Sequence, residues 1–377
     1  MLSFTVPPRH VYVHVPFCGR RCSYCDFSIA VRRTVPVREY LAALAAELEL
    51  RDDHIRRWSV DTLYVGGGTP SRLGADGVAE LLDLLRGRFT LDEAAEITIE
   101  ANPEDVTIPA VRHWRTAGVT RLSIGAQSFE DGVLAWMHRT HTAAQITSAV
   151  EAARAGGIAN FSLDLIFALP EALERNWRDD LQSALALDPP HVSLYGLTVE
   201  PATPLHRWRE RGMVHEAPDE RYEAEFVRAH DLLVAAGYEH YEVSNYARPG
   251  WRSRHNASYW RRVPYLGLGP SAHSFDGTRR RWNLAAYAGW ERAVSGGRDP
   301  LAGEEVLTGE DHRMEECYLG LRTDAGIALT DDIAARVQLW IDAGWAWRDG
   351  ARLKLTAAGW LRLDALSVDL THTSSCC

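Results

Sequence analysis

No stretch of this chain approaches the ~20 consecutive apolar residues that a membrane-spanning helix needs. The opening residues, MLSFTVPPRHVYVHVPF, also lack an apolar run ending in a small-residue cleavage site, so no transmembrane segment or secretory signal is expected. Positive charge is in deficit. Lys plus Arg is 41 against 51 for Asp plus Glu, a net charge of −10, which argues against broad nucleic-acid binding. Cysteine is sparse as well: six in 377 residues do not make a disulfide scaffold. A cytoplasmic protein with reduced thiols is the expectation. Internal repeats and low-complexity blocks are missing too. With 46% hydrophobic and 24% charged residues, the chain can bury a substantial core and form one large domain plus a small one.

Short β-branched runs alternate with amphipathic stretches through the first two-thirds. Expected strands are VYVHV (11–15), TLYVGG (62–67), EITIEA (96–101), RLSIGAQ (121–127), FSLDLIF (161–167) and HVSLYGL (191–197). Between them lie helical patterns such as VREYLAALAAELEL, where Leu41, Leu44 and Leu48 recur at helical spacing. This alternation means βαβ units and a parallel sheet, as a barrel, a partial barrel or a doubly wound open sheet. Ligands of such sheets gather at the C-terminal ends of the strands. The barrel core is expected over 1–240. An aromatic, arginine-rich extension should follow over 241–302, a small winged-helix-like unit over 303–370 and a frayed tail over 371–377.

Three of the cysteines fall in FCGRRCSYCDF: Cys18, Cys22 and Cys25, spaced C-x3-C-x2-C. A structural zinc site takes four ligands, and only His14 stands nearby as a fourth. Thioredoxin-type redox work needs Cys22 and Cys25 alone. An iron–sulfur cubane is held by cysteine thiolates, normally four; three would leave one iron open to another molecule. Arg20 and Arg21, between the first two cysteines, would offset the cluster's negative charge. Cys317 reads as a buried core thiol, and Cys376 and Cys377 receive no role.

This spacing, with Tyr24 before the last cysteine, resembles the signature of the radical S-adenosylmethionine superfamily. The resemblance implies a partial parallel (β/α)6-type barrel, a 4Fe-4S cluster and S-adenosyl-L-methionine. In that chemistry the open iron chelates the cosubstrate's amino and carboxylate groups. One electron then cleaves it to methionine and a 5′-deoxyadenosyl radical. Within the superfamily the chain resembles the coproporphyrinogen-dehydrogenase-like branch. The shared motifs are Tyr12 to Cys18, GGGTP (66–70), Gly125 to Phe129, Arg139 to His141, Asp164 to Pro170 and Tyr195 to Leu205. By resemblance, Cys18, Cys22 and Cys25 would hold the cluster. Tyr12, Gly67, Gly68, Thr69, Glu100, Gln127, Arg139 and Asp164 would contact S-adenosylmethionine. Asn102 is a further polar residue at a strand end. Asp164, inside an apolar strand, demands a partner or a function; Arg139 is the candidate partner for an ion pair.

Phe27 narrows the choice. True coproporphyrinogen dehydrogenases carry a further cysteine there, whereas the HemW-type haem chaperones carry phenylalanine in CxYCDF. HNASYW (255–260) also fits an element of that subgroup, whose histidine is tied to haem. His255 is accordingly a candidate axial ligand, with Tyr259 and Trp260 beside the macrocycle and His273 as a second candidate. Arg252, Arg254, Arg261, Arg262, Arg279, Arg280 and Arg281 stand there against a single acid, Asp276, and would suit haem propionates.

The expected function is a cluster-containing chaperone that passes haem to client haemoproteins, most naturally of a respiratory chain. Its partners would include an electron donor, with transient contact at a membrane surface and self-association both allowed. The competing functions are oxygen-independent oxidation of coproporphyrinogen III in porphyrin biosynthesis, and radical methyl transfer.

Overall fold

The computed structural model describes Phe4, residues 7–51 and residues 58–371. Cys376 and Cys377 lie outside the described residues. Nine strands form the main sheet, in the spatial order β11 (Leu266–Leu268), β1 (His10–Val15), β4 (Trp58–Gly67), β5 (Phe89–Ala101), β6 (Arg121–Gln127), β7 (Phe161–Phe167), β8 (His191–Gly196), β10 (Asn245–Ala247) and β9 (Glu239–Glu242). The pairings from β11 to β8 are all parallel, and β10 runs antiparallel to both β8 and β9. The two end strands, β11 and β9, do not pair with each other among the described residues, so the barrel is partial.

All six expected strands are present, and β4 and β5 start earlier than the sequence suggests. Two segments assigned to the extension join the sheet: β10, between β8 and the end strand β9, and β11, from YLGLG, beside β1 at the other end. The alternation along each strand sorts its side chains. Val11, Val13 and Val15 of β1, Leu63 and Val65 of β4 and Ile97 and Ile99 of β5 share one core with Leu44 and Leu48 of the helix Val37–Leu50 and Leu81, Leu82 and Leu85 of the helix Gly74–Arg86. Each such side chain, fully buried, contributes about 1.5–3 kcal/mol. The intervening residues Tyr12, Tyr64, Glu100, Ser123 and Asp164 face the other way, into the barrel.

The expected helices form, several on their own caps. Thr107 accepts from Ala110 N, and Thr142 with Gln145 closes a capping box. Arg254–Trp260, a seven-residue helix that takes in all of HNASYW, was not among the expected helices.

Shorter pairings complete the chain. β2 (Phe17–Cys18) pairs with β3 (Ala30–Val31) beside the cysteine loop. An antiparallel sheet joins β12 (His273–Phe275), β13 (Arg279–Asn283) and β14 (Leu301–Val306). A last one joins β15 (Ile327–Ala328), β16 (Ala346–Asp349) and β17 (Arg352–Leu355). The expected C-terminal order of helix, helix and strand–turn–strand is present as Gly309–Leu321, Asp331–Asp342, β16 and β17. The chain then continues as the helices Ala357–Trp360 and Leu363–Thr371.

Glu47 fastens the extension to the barrel. Its buried carboxylate accepts from Gly269 N (2.8 Å), Asn283 Nδ2 (2.7 Å), Trp290 Nε1 (3.0 Å) and Arg51 (2.6 Å). Among the described residues, no helix is long and apolar enough to cross a membrane.

Candidate functional site

The three cysteines sit on the loop that leaves β2, at the C-terminal end of the barrel. Cys18 is buried; Cys22 and Cys25 are half-buried, and none forms a disulfide. All three line a cavity of about 910 Å³. The loop is braced on all sides. Ser23 N donates to Met137 O (3.1 Å), Arg21 Nη1 to Cys25 O (3.1 Å), and Cys18 Sγ lies 3.5 Å from Thr69 Oγ1. Burial raises the Cys18 thiol and pushes that of Cys25 up to about 12, so these two thiols are protonated at neutral pH when free. Among the described residues, no three His, Cys, Asp or Glu side chains gather as the ligands of one metal ion. The thiols face one cavity without converging on a point, which suits separate corners of a cluster rather than a single zinc. His14 is no fourth ligand. Its Nε2 is bonded to Ser28 O (2.9 Å) and its Nδ1 to Tyr12 OH (3.1 Å), and burial lowers its pKa to about 4.

GGGTP wraps the neighbouring wall of the cavity. Gly67 has φ +116°, and a Cβ there would meet the His14 ring at 2.7 Å. A Cβ on Gly68 would lie 2.7 Å from the backbone of Pro16, which leads into the cysteine loop. Only glycine lets these two loops lie together. Glu100 is held at the end of β5 by Tyr64 OH (2.9 Å) and Gly67 N (3.0 Å). Burial raises its carboxyl to about 7.

Arg139 joins three parts of the site. It donates to Cys22 Sγ (3.6 Å), Asn102 Oδ1 (2.7 Å) and Gly125 O (3.0 Å), and its Nε is buried without a partner. Its expected ion pair with Asp164 does not form. Asp164 instead accepts from Ser123 Oγ (2.8 Å) on the adjacent strand β6 and from Ser162 Oγ (3.1 Å) on its own strand. Burial raises its pKa, while the serine hydroxyls and the charge of Arg121 act the other way. Gln127 ends β6 in a left-handed conformation (φ 67°) beside a register shift, where a bulge re-aims a side chain.

Gly67, Gly68, Thr69, Glu100, Gln127, Arg139 and Asp164 thus line the same cavity as the cysteines. Tyr12 does not. It stacks on Tyr64 (6.2 Å) and faces a second cavity of about 260 Å³, with His14, Tyr259, Tyr265, Ser271 and His273.

His255 lies outside the cluster cavity. It is buried at 1% exposure, with Nδ1 bonded to Thr62 Oγ1 (2.7 Å) and Nε2 to Tyr259 OH (2.8 Å). Its ring stacks on Tyr64, and burial lowers its pKa to about 3. The nearby arginines are engaged too. Arg252 pairs with Glu239 and Asp324, Arg262 with Glu315, Arg279 with Glu304, Arg280 with Glu305 and Glu315, and Arg281 with Asp299. Arg254 and Arg261 donate to backbone carbonyls.

The family model of the radical SAM superfamily matches residues 12–184. A heme chaperone HemW from Mycobacterium tuberculosis is 39% identical over 95% of this chain and 94% of its own length. Another from Bacillus subtilis is 34% identical over 85% of each chain. The chain belongs to the HemW family. Among solved structures, the coproporphyrinogen III oxidase HemN of Escherichia coli, a radical SAM enzyme, superposes with a TM-score of 0.83 over 97% of this chain and 90% of its own. At 23% identity that likeness establishes the fold alone. HemW membership agrees with Phe27 standing where a further cysteine was weighed.

Sequence reasoning passed over several residues of the cavity wall. Tyr64, Ser123 and Tyr195 occupy inward positions of strands already recognised, and strict alternation along TLYVGG, RLSIGAQ and HVSLYGL was the available signal.

Proposed function

We propose that this chain is a haem chaperone that carries a 4Fe-4S cluster and S-adenosylmethionine and delivers haem to client haemoproteins. The observation that carries this is the shared cavity. Three unpaired thiols face the same space as a glycine cradle, a buried acid of raised pKa and a cavity-facing guanidinium. Cys18, Cys22 and Cys25 would hold the cluster. When bound, it supplies one-electron reduction and an open iron for the cosubstrate.

The remaining contributions belong to this chain's own side chains. The glycines admit a ligand's polar end to bare backbone. Glu100, near half-ionised at neutral pH, offers charge to a cationic group. Arg139 sets its charge against Cys22 and offsets thiolate repulsion. Asp164, held by serine hydroxyls, is an acceptor for sugar hydroxyls. HemW relatives aligned over nearly the whole chain support haem delivery, as does Phe27 in place of an added cysteine.

The test is anaerobic. Reconstituted protein is mixed with S-adenosylmethionine, a reductant and coproporphyrinogen III, and separately with haem and an apo-haemoprotein. The expected result is no protoporphyrinogen, but stoichiometric haem uptake and transfer. Turnover of coproporphyrinogen would overturn the proposal in favour of the oxidase.

A further inference from the structure

Three buried charges stand behind the cavity wall and take no part in the site described above. Arg175, Asp180 and Glu225 are buried at 6%, 1% and 8% exposure. Arg175 Nη1 donates to Asp180 Oδ2 (3.3 Å) and Nη2 to Glu225 Oε2 (2.7 Å), and the guanidinium lies 4.7 Å from the Trp177 ring centroid. Arg221 Nε donates to Glu225 Oε1 (2.9 Å), so two cations face two carboxylates. None of the four lines the cluster cavity. Such a network is a poor route to stability, because well-packed apolar residues in its place are often no less stable. Arg175 Nε is also buried without a partner, a further cost.

What the network holds is backbone. Asp180, on the helix Trp177–Ala186, accepts from Ser128 Oγ (2.9 Å) and Phe129 N (2.7 Å), the two residues after Gln127. Glu225, on the helix Asp219–Ala235, accepts from Ala168 N (2.7 Å), one residue past β7. Arg175 Nη1 donates to Ile166 O (2.9 Å) within β7. Gln127 and Ile166 both line the cluster cavity, on neighbouring strands. Gln127 and Ala168 both have left-handed backbone, φ 67° and φ 55°. That conformation is costly for a residue with a side chain and persists only where the surroundings impose it. Here one hydrogen-bonded ion network grips the chain at both places. Ile166 also packs with Val133, Met137 and Leu169 in a small apolar cluster that Tyr24 of the cysteine loop joins. A shift at the end of β7 therefore reaches the loop that bears Cys22 and Cys25.

We propose that Arg175, Asp180 and Glu225 are positioning residues of the cosubstrate site. They fix the ends of β6 and β7 together, so that Gln127 and the Asp164–Ile166 edge meet S-adenosylmethionine in one geometry. This rests on the S-adenosylmethionine binding proposed above. Arginine suits the task. One nitrogen of its planar fork serves Asp180 and the Ile166 carbonyl while the other serves Glu225, a span that a lysine ammonium does not reproduce.

The test is S-adenosylmethionine binding to the cluster-reconstituted full chain by equilibrium dialysis, beside iron and sulfide content and urea unfolding. Arg175→Met should bind about tenfold to hundredfold more weakly at wild-type cluster content, the range expected when the support behind a site is lost. It should also unfold at lower urea, because two carboxylates lose their cation, and amide exchange should quicken at Phe129 and Ala168. Arg175→Met with Asp180→Asn removes one charge of each sign and keeps an acceptor for Phe129 N, so stability should return towards wild type. Affinity should stay low, because Ile166 O and Glu225 still lack the guanidinium that braces the end of β7. Wild-type affinity in Arg175→Met would overturn the proposal. So would affinity that recovers along with stability in the double variant, which would make the network structural only. A double variant no more stable than the single one would overturn it too, since the network would then carry the fold itself. A wild-type chain that binds no S-adenosylmethionine would instead overturn the function proposed above.

Discussion

Replacing Glu100 by glutamine should move stability and binding in opposite directions. The Glu100 carboxyl titrates near 7 in the folded chain, because burial outweighs its hydrogen bonds from Tyr64 and Gly67, against 4.5 for the unperturbed group. Between these values the native state holds a proton that the unfolded chain has released. Stability therefore falls as pH rises from about 4.5 to about 7, and the full cost is present above that. A shift of this size corresponds to about 3 kcal/mol, at ~1.4 kcal/mol per unit. Because the carboxylate opens onto the cavity, water reduces the cost, and about 1–3 kcal/mol is the working range.

In cluster-free protein, Glu100→Gln should therefore be more stable than wild type by that amount at pH 8 and nearly equal to it at pH 5, measured by urea unfolding. Glutamine preserves the acceptor for Gly67 N. Affinity should change the other way. If the carboxylate meets a cationic group of S-adenosylmethionine, the variant loses a charge-assisted bond and binds about tenfold to hundredfold more weakly at pH 8. This is the stability–function conflict expected of a charge kept buried for a ligand. Parallel unfolding curves for variant and wild type at both pH values would refute the raised pKa. Equal S-adenosylmethionine affinity would refute the contact.

Two other predictions test the cluster loop and the junction. Replacing Cys18, Cys22 or Cys25 by alanine should each abolish iron and sulfide incorporation on anaerobic reconstitution. Cys317→Ala, half-buried on the helix Gly309–Leu321, should leave the cluster content unchanged. Glu47→Ala strands three donors and an arginine of low exposure, and should cost about 3–5 kcal/mol in urea unfolding. A loss below about 1 kcal/mol would show that water replaces the carboxylate.

The parallel strands and the cysteine loop were legible because their signals are local. A β-branched run, a glycine cluster and a three-cysteine spacing each fit within a dozen residues. β11 was harder to read. Leu266–Leu268 is a three-residue strand that exists only because β1 presents an unpaired edge. The helix Arg254–Trp260 is likewise a tertiary product. Ser253 caps it, and Glu96, far away on β5, accepts from Arg254 N (3.0 Å) and His255 N (2.9 Å) at its start. No window of sequence around HNASYW contains that acid.

Charge is where local reading and three-dimensional pairing part most sharply. Within 252–281 the arginines look like a cationic patch awaiting an anion. In the fold, β13 brings Arg280 directly across from Glu305 of β14 and Arg279 within reach of Glu304 on the diagonal, and Glu315 reaches Arg262 and Arg280 from the next helix. Their charge is spent on attaching the C-terminal unit. Arg20 and Arg33 show the reverse. Scattered along the cysteine loop, they form no conspicuous window, yet they keep unspent charge at the mouth of the cavity. Anion recognition depends on which cations remain without a carboxylate after folding, and topology decides that.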